Sequence, residues 1–288
     1  MTGSYHGASP GAIQHHYDLS DTFYALWLDP GLTYSCALWE GVADDLAAAQ
    51  QRKLAHLAAQ ARVTRARRVL EVGCGWGSML RHLLDEEGVD HVVGLTLSPA
   101  QAASISSWAD PRCEVRLENW TDHDGGPYDG VISIGALEHF ARYDATRAER
   151  LESYRAFFDR CHEWLPPRHR LVLQTNVNGS NSHLDRATVQ ELMFIIEKIF
   201  PESGIPWLSE IMEASQKRFD VVRMRNDPDH YARTCQAWHD RLRARRDEAA
   251  ALVGEQAVAD YLHYLSSTVR HFERRHLGLA RIVFERYE

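Results

Sequence analysis

Apolar residues recur at helical spacing between Asp44 and Ala61. Leu46, Leu54, Leu57, Ala58 and Ala61 share one face there, behind an aspartate suited to cap the first turn. Beyond residue 67 the pattern changes to short β-branched runs separated by helical stretches. It predicts strands over 68–72, 91–95, 113–117, 130–134 and 170–175, with helices over 78–87, 99–108 and 147–164. Alternation of this kind builds a parallel sheet with helices on both faces, a doubly wound α/β fold.

The alternation breaks at 176–209, where a polar stretch precedes an apolar helical run, 192–200, that Pro201 ends. An insertion covering the sheet edge is the simplest reading. The strand and helix scheme resumes with a strand at 219–225, helices within 230–253 and 255–272, and a closing strand at 279–284. Ahead of the first helix, residues 11–39 are rich in aromatics: Tyr17, Phe23, Tyr24, Trp27, Tyr34 and Trp39. The expected organisation is therefore a helical, aromatic lid over 1–62, a nucleotide-type core over 63–175, an inserted helical cap over 176–215 and a return to the core over 216–288.

The 288 residues are 44% hydrophobic and 25% charged, too apolar for a disordered chain. A formal charge of −8 excludes a global electrostatic attraction to nucleic acid or anionic lipid. Arg241, Arg243, Arg245 and Arg246 read as a solvated helix face. No apolar run approaches the roughly 18 to 20 residues that span a bilayer, and the first residues lack signal-peptide character, so a cytoplasmic protein is expected. The five cysteines, Cys36, Cys74, Cys113, Cys161 and Cys235, are scattered and read as reduced thiols. Sixteen histidines, with His15 and His16 the one adjacent pair, show no metal-ligand spacing, so no metal site is expected.

Chemistry enters at Val69-Leu-Glu-Val-Gly-Cys-Gly-Trp-Gly77. Gly73, Gly75 and Gly77 stand at alternate positions between a predicted strand and a predicted helix, behind an acidic residue, Glu71. Glycines there let a ligand approach the backbone closely, and the helix start offers free N–H groups. A dinucleotide loop would carry its third glycine one position later. The stretch resembles the first motif of class I S-adenosylmethionine (SAM)-dependent methyltransferases. More narrowly, the chain resembles the cyclopropane fatty acid and mycolic acid cyclopropane synthase family. That likeness rests on His16-Tyr-Asp-Leu-Ser20, Leu32-Thr-Tyr-Ser-Cys36, the glycine loop, Gly94-Leu-Thr-Leu-Ser98 with Gln101, Ser133-Ile-Gly-Ala-Leu-Glu-His-Phe140 and His230-Tyr231.

The resemblance implies a Rossmann-like sheet of seven strands and SAM as cofactor. It assigns the cofactor contacts to Tyr34, Ser35, Gly73, Cys74, Gly75, Gly77, Thr96, Leu97, Gln101, Trp120 and Ile134. Trp120 offers a flat face to adenine and Gln101 a hydrogen-bonding amide to the ribose region. Thr96 stands where most class I sequences carry an acid, a departure that the family shares.

Glu138 follows a predicted strand at its C-terminal end, where ligands gather in open α/β sheets, and its carboxylate suits a base or the stabiliser of a cation. Tyr17, Phe140, Phe194, Tyr231 and Trp238 are candidates for an aromatic wall around positive charge. Family synthases are understood to hold a bicarbonate base, and the counterpart positions are Cys36, Glu138, Gln174 and Tyr231. Two positions depart from the family: Gln174 stands where His is usual, and Thr268 where Cys is frequent. Glutamine does not titrate near neutrality, which sets ring closure apart from simple methyl transfer. The resemblance implies C-methylation of an unsaturated, hydrophobic small molecule or acyl or isoprenoid chain, soluble or carrier-bound, through a cation held by Glu138. Cyclopropane formation with bicarbonate, small-molecule N-methylation and a non-catalytic SAM-binding protein are the alternatives.

Overall fold

The computed structural model describes residues 7–17 and 20–288, except for the side chains of 15–17. The expectations attached to His15, His16, the Tyr17 ring and the stretch that joins them to Ser20 lie outside those described residues. Two short helices, α1 (Pro10–Tyr17) and α2 (Asp21–Ala25), and a long one, α3 (Leu46–Ala61), precede the sheet. α3 begins where the Asp45 carboxylate accepts the Ala48 N–H at 2.7 Å, one residue later than the sequence pattern suggested.

The core alternates as its hydrophobic pattern requires: β1 (Arg68–Val72), α4 (Ser78–Asp85), β2 (His91–Thr96), α5 (Pro99–Ser106), β3 (Cys113–Leu117), β4 (Gly130–Ile134), α6 (Arg147–Trp164) and β5 (Arg170–Asn178). The cap region supplies α7 (Arg186–Phe194), a π turn (Ile195–Ile199) and α8 (Leu208–Ser215). The chain closes with β6 (Phe219–Asn226), α9 (Pro228–Ala244), α10 (Arg246–Val253), α11 (Glu255–Glu273) and β7 (Leu277–Arg286).

These strands form one seven-stranded sheet in the order β3-β2-β1-β4-β5-β7-β6. It is parallel up to β5, while β7 lies antiparallel to both β5 and β6. The expected doubly wound α/β fold is thus present. The order reverses between β1 and β4, and a crevice opens there beyond the strands' C-terminal ends. Alternate residues of each central strand serve opposite faces. Leu70, Val93, Val131 and Leu171 pack with Tyr154, Phe157 and Phe158 of α6, while Val69, Val92, Ile132 and Val172 pack with Leu54, Leu57, Leu80 and Leu83 of α3 and α4. A third core joins the N-terminal aromatics to α9 and α11: Trp27 meets Trp238 with ring centroids 5.8 Å apart, and Phe23 meets Tyr261 at 5.1 Å. Among the described residues no helix is long and apolar enough to cross a membrane, and no cluster of metal-ligating side chains occurs.

The cap differs most from its sequence reading. Asn176, Val177 and Asn178, expected in a loop, extend β5 by pairing with Leu279, Gly278 and Leu277 of β7. Their asparagines resemble turn residues, but a partner strand from the far end of the chain supplies the missing backbone bonds. The helix expected over 192–200 begins earlier, at Arg186, capped by the Asp185 carboxylate on the Thr188 N–H at 2.8 Å, and widens into the π turn before Pro201. α8 was not foreseen.

Gly77 also departs from expectation. It is the N-cap of α4 with φ of 83°, and an added Cβ would stand 2.4 Å from Trp108 Cη2. Its small size serves helix packing under a tryptophan, and it does not line the cleft described below. Gly77→Ala should destabilise the fold by about 2 kcal/mol or more through left-handed strain and overpacking, measured by urea unfolding; an unchanged midpoint would contradict this.

Candidate active site

Two cavities meet above the sheet's switch point. The first, of about 930 Å³, runs over the C-terminal ends of β1, β2 and β4. Its wall includes Tyr34, Ser35, Gly73, Cys74, Gly75, Thr96, Leu97, Gln101, Trp120 and Ile134, so ten of the eleven positions expected around a cofactor face one space; Gly77 is the exception.

The local chain explains this convergence. The N–H groups of Gly73 and Cys74 both donate to the Leu95 carbonyl, at 3.0 and 2.9 Å, which folds the loop back over β2. Gly75 has φ of 55°, and nothing lies within 4 Å of where its Cβ would be, so the backbone is open to the cleft. The Thr96 hydroxyl donates to Gln101 Oε1 at 2.7 Å and accepts the Ser98 N–H at 3.1 Å, and Ser98 caps α5 by accepting the Gln101 N–H. The threonine that replaces an acid at the end of β2 therefore orients Gln101. Trp120 is held by Phe140 and Phe157, with ring centroids 5.2 and 5.5 Å away.

From the other side, α3 fastens the segment that carries Tyr34 and Ser35. Gln50 Nε2 donates to the carbonyls of Thr33 and Ser35, and Lys53 Nζ donates to Ser35 Oγ at 2.9 Å. Lys53 is buried at the cleft beside Glu71, whose Oε2 has no hydrogen-bond partner among the described residues. Burial pushes the ammonium of Lys53 down to about 8 and the carboxyl of Glu71 up to about 8. The sequence reading missed Lys53; its signal was a lysine on the apolar face of α3, between Ala49 and Leu57.

The second cavity, of about 1860 Å³, lies under the cap and shares Tyr34, Gly135 and His139 with the first. Leu192, Ile195, Ile196 and Phe200 give it an apolar wall, and Glu138, Tyr231, Asn176 and Thr268 also face it. The 3-10 turn Leu137–His139 after β4 sends Glu138 and His139 to this junction. Glu138 is 6% exposed and its Oε1 accepts the Asn176 N–H at 2.6 Å. Burial raises the carboxyl's pKa against the downward pull of that N–H. His139, also missed although it lies within the quoted motif, places Nδ1 2.7 Å from Ser203 Oγ, and burial lowers its imidazole to about 4, so the ring is neutral at pH 7.

The other expected catalytic positions lie elsewhere. Cys36 and Gln174 line neither cavity and are fully buried. Gln174 Nε2 donates to the Cys36 carbonyl at 3.3 Å, and Gln174 Oε1 accepts Arg281 Nε at 2.8 Å. Arg281 also donates to the Ala37 carbonyl at 2.9 Å and forms an ion pair with Asp227. Cys36 and Gln174 therefore do not face the cavity that Glu138 and Tyr231 line. Trp238 is packed in the aromatic core and Phe194 against His263, away from the cavity wall; Phe140 lines the first cavity and Tyr231 the second.

The model of the family described as mycolic acid cyclopropane synthetase matches residues 8–282. Cyclopropane mycolic acid synthase 2 of Mycobacterium leprae is 36% identical, over 93% of this chain and 91% of the relative. Cyclopropane mycolic acid synthase 3 of Mycobacterium tuberculosis is 32% identical, over 96% and 97%. The solved cyclopropane synthase MmaA2 from Mycobacterium tuberculosis superposes with a TM-score of 0.90 at 31% identity, covering 97% of this chain and 99% of that one. CmaA1 complexed with SAH and CTAB gives 0.87 at 32% identity over the same shares. With the model matched over nearly the whole chain and relatives above 30% identity, the chain belongs to the mycolic acid cyclopropane synthetase family.

Proposed function

We propose that this protein is a SAM-dependent methyltransferase that methylates a carbon of an unsaturated, apolar chain. The observation that carries the reading is the junction itself: a cleft walled by a glycine loop opens into a larger apolar cavity, with Glu138 and His139 where they meet. SAM supplies an electrophilic methyl group on a sulfonium.

The first cavity suits that molecule. Gly75 leaves room at the backbone, Trp120 offers a ring face to adenine, and Gln101 offers its amide to the ribose region. Lys53 and Glu71 provide an ammonium and a carboxyl at one cleft, hydrogen-bonding partners for an amino-acid end. The segment before β1 acts as the lid, since Ile13, Leu32, Tyr34, Ser35 and Lys53 all border the cleft, and the region over 176–215 acts as the substrate cap. In the second cavity the wall of Leu192, Ile195, Ile196 and Phe200 receives the hydrocarbon and excludes water. Glu138 and the Tyr231 ring hold the positive charge that appears on the substrate carbon, and Glu138 takes the proton that is lost. Cys36, Gln174 and Arg281 hold the lid to the sheet behind this wall.

Turnover of a trideuteriomethyl donor with unsaturated acyl and isoprenoid chains should place the label on carbon. Two retained deuteriums mark ring closure and three a methyl branch; label found on nitrogen alone would defeat the reading. Glu138→Gln should keep cofactor binding, measured by calorimetry, and lower kcat about hundredfold; wild-type turnover would remove Glu138 from the chemistry.

Glu71 generates a pH expectation. Its folded pKa lies above its unfolded value, so its contribution to stability is complete below the ordinary carboxylate range and is lost as pH rises toward about 8. Lys53 is charged in both states below about 8 and adds nothing in that window. The stability of Glu71→Gln relative to the parent, by urea unfolding without cofactor, should therefore increase from pH 5 to pH 8. A constant difference would show that Glu71 does not titrate there.

A further inference from the structure

The chain leaving β3 borders the first cavity through Glu118 and Asn119, two residues that stand outside the cofactor contacts named above. Glu118 directly follows the last residue of β3 and precedes Trp120 by two positions. In the sheet order β3 lies beyond β2, one strand further from the glycine loop than Thr96 and Gln101. A nucleoside with its ribose at Gln101 and its base on Trp120 therefore turns an edge of the base toward Glu118.

The carboxylate is held in place without a ligand. His123 is fully buried and sets Nδ1 2.5 Å from Glu118 Oε1; a carboxylate only accepts, so the hydrogen of that bond sits on the ring. The other ring nitrogen lies 2.7 Å from Tyr128 Oη, and the two rings stack with centroids 5.9 Å apart. Trp164 packs edge-on against the imidazole at 5.4 Å. Arg116 approaches the same carboxylate oxygen at 3.6 Å. Both contacts fall on Oε1, which leaves Oε2 for a ligand. Bracing of this kind reduces the rotamer freedom that a glutamate would otherwise lose on binding.

The chemistry of the neighbours selects the ligand group. Asn119 Oδ1 accepts the Thr121 N–H at 3.2 Å and Gln101 Oε1 accepts the Thr96 hydroxyl at 2.7 Å, so these two side-chain acceptors are engaged. Glu118 offers an acceptor and matches a donor. On adenine that donor is the exocyclic 6-amino group. A 6-oxo base would turn an acceptor toward the carboxylate, and two facing acceptors oppose binding.

We infer that Glu118 recognises the 6-amino group of the cofactor's adenine and sets specificity for the base, and that His123 and Tyr128 are positioning residues that act through it. The inference rests on the cofactor reading above and deepens it, assigning the edge of the base to a carboxylate that lies outside the sequence motifs.

The test measures binding by calorimetry at pH 7 with the full chain and three ligands. These are S-adenosylhomocysteine, S-inosylhomocysteine with its 6-oxo group, and 2′-deoxy-S-adenosylhomocysteine, which keeps the base and lacks one ribose hydroxyl. The parent should bind S-adenosylhomocysteine about tenfold or more tightly than the inosine analogue. Glu118→Gln should bring that ratio to about threefold or less, because its amide also donates to the oxo group, and should leave the ratio for the ribose pair unchanged. Tyr128→Phe keeps the ring and removes the hydroxyl behind His123; it should reduce base discrimination several-fold and spare the ribose ratio. Weakening of all three ligands alike by Tyr128→Phe, or an unchanged base ratio, would remove the positioning role. Equal binding of the two bases by the parent, or the parental base ratio in Glu118→Gln, would overturn the inference. A loss confined to the ribose ratio in Glu118→Gln would overturn it as well and assign the carboxylate to the ribose. Failure of all three ligands to bind the parent sinks the cofactor reading together with the inference, whereas tight binding of S-adenosylhomocysteine without base discrimination sinks the inference alone.

Discussion

One carbonyl organises the active end of this molecule. Leu95 O, at the end of β2, receives the N–H groups of both Gly73 and Cys74, so the chain leaving β1 turns sharply at the point where the strand order reverses. The close approach holds the loop flat, leaves Gly75 facing open space and starts α4 beneath it. A side chain at Gly73 would meet Ala136, only 2.5 Å from its Cβ, so the loop is confined from the β4 side as well. Without that shared bond the cleft would lack its floor, and the residues gathered from β1, β2 and β4 would face no common space.

Around that floor the protein buries groups that solvent would ordinarily keep charged. Lys53 and Glu71 are forced toward their neutral forms by the same loss of water and drawn back toward ionisation by each other. Glu138 and His139 are neighbours on one turn: burial keeps the His139 imidazole neutral, whereas at Glu138 burial raises the carboxyl's pKa and the Asn176 N–H pulls it back toward the carboxylate. Electrostatic interactions at such a partly buried junction are stronger than they would be in water.

Behind the junction, Arg281 resolves a different problem. A guanidinium on the inner strand β7 is 3% exposed, and its donors are distributed among Gln174, Asp227 and the Ala37 carbonyl. Each partner belongs to a different part of the chain, so this buried cation ties the lid segment to the sheet. Glutamine at position 174 suits that role because it accepts from Arg281 and donates to Cys36 simultaneously, which a charged imidazole cannot do.

The sequence by itself determined the strand and helix alternation, because hydrophobic periods of two and 3.6 are local properties that burial on both sheet faces imposes. The glycine loop and Glu138 at the end of β4 were legible there too, since short motifs are read where the chain itself is contiguous, while the other residues that line the first cavity came from the resemblance to a family. Tertiary structure alone decided the rest. β7 inserts between β5 and β6 and draws Asn176 to Asn178 into the sheet, a pairing across about a hundred residues that no local pattern encodes. Arg281 comes from that distant strand, which is why Cys36 and Gln174 looked free to meet a ligand and are not. Lys53 reaches the cleft only because α3 packs against the sheet, and Glu138, Asn176 and Thr268 line one cavity only because three separate elements converge. Whether a polar group is satisfied depends on neighbours remote in sequence, and the fold alone supplies them.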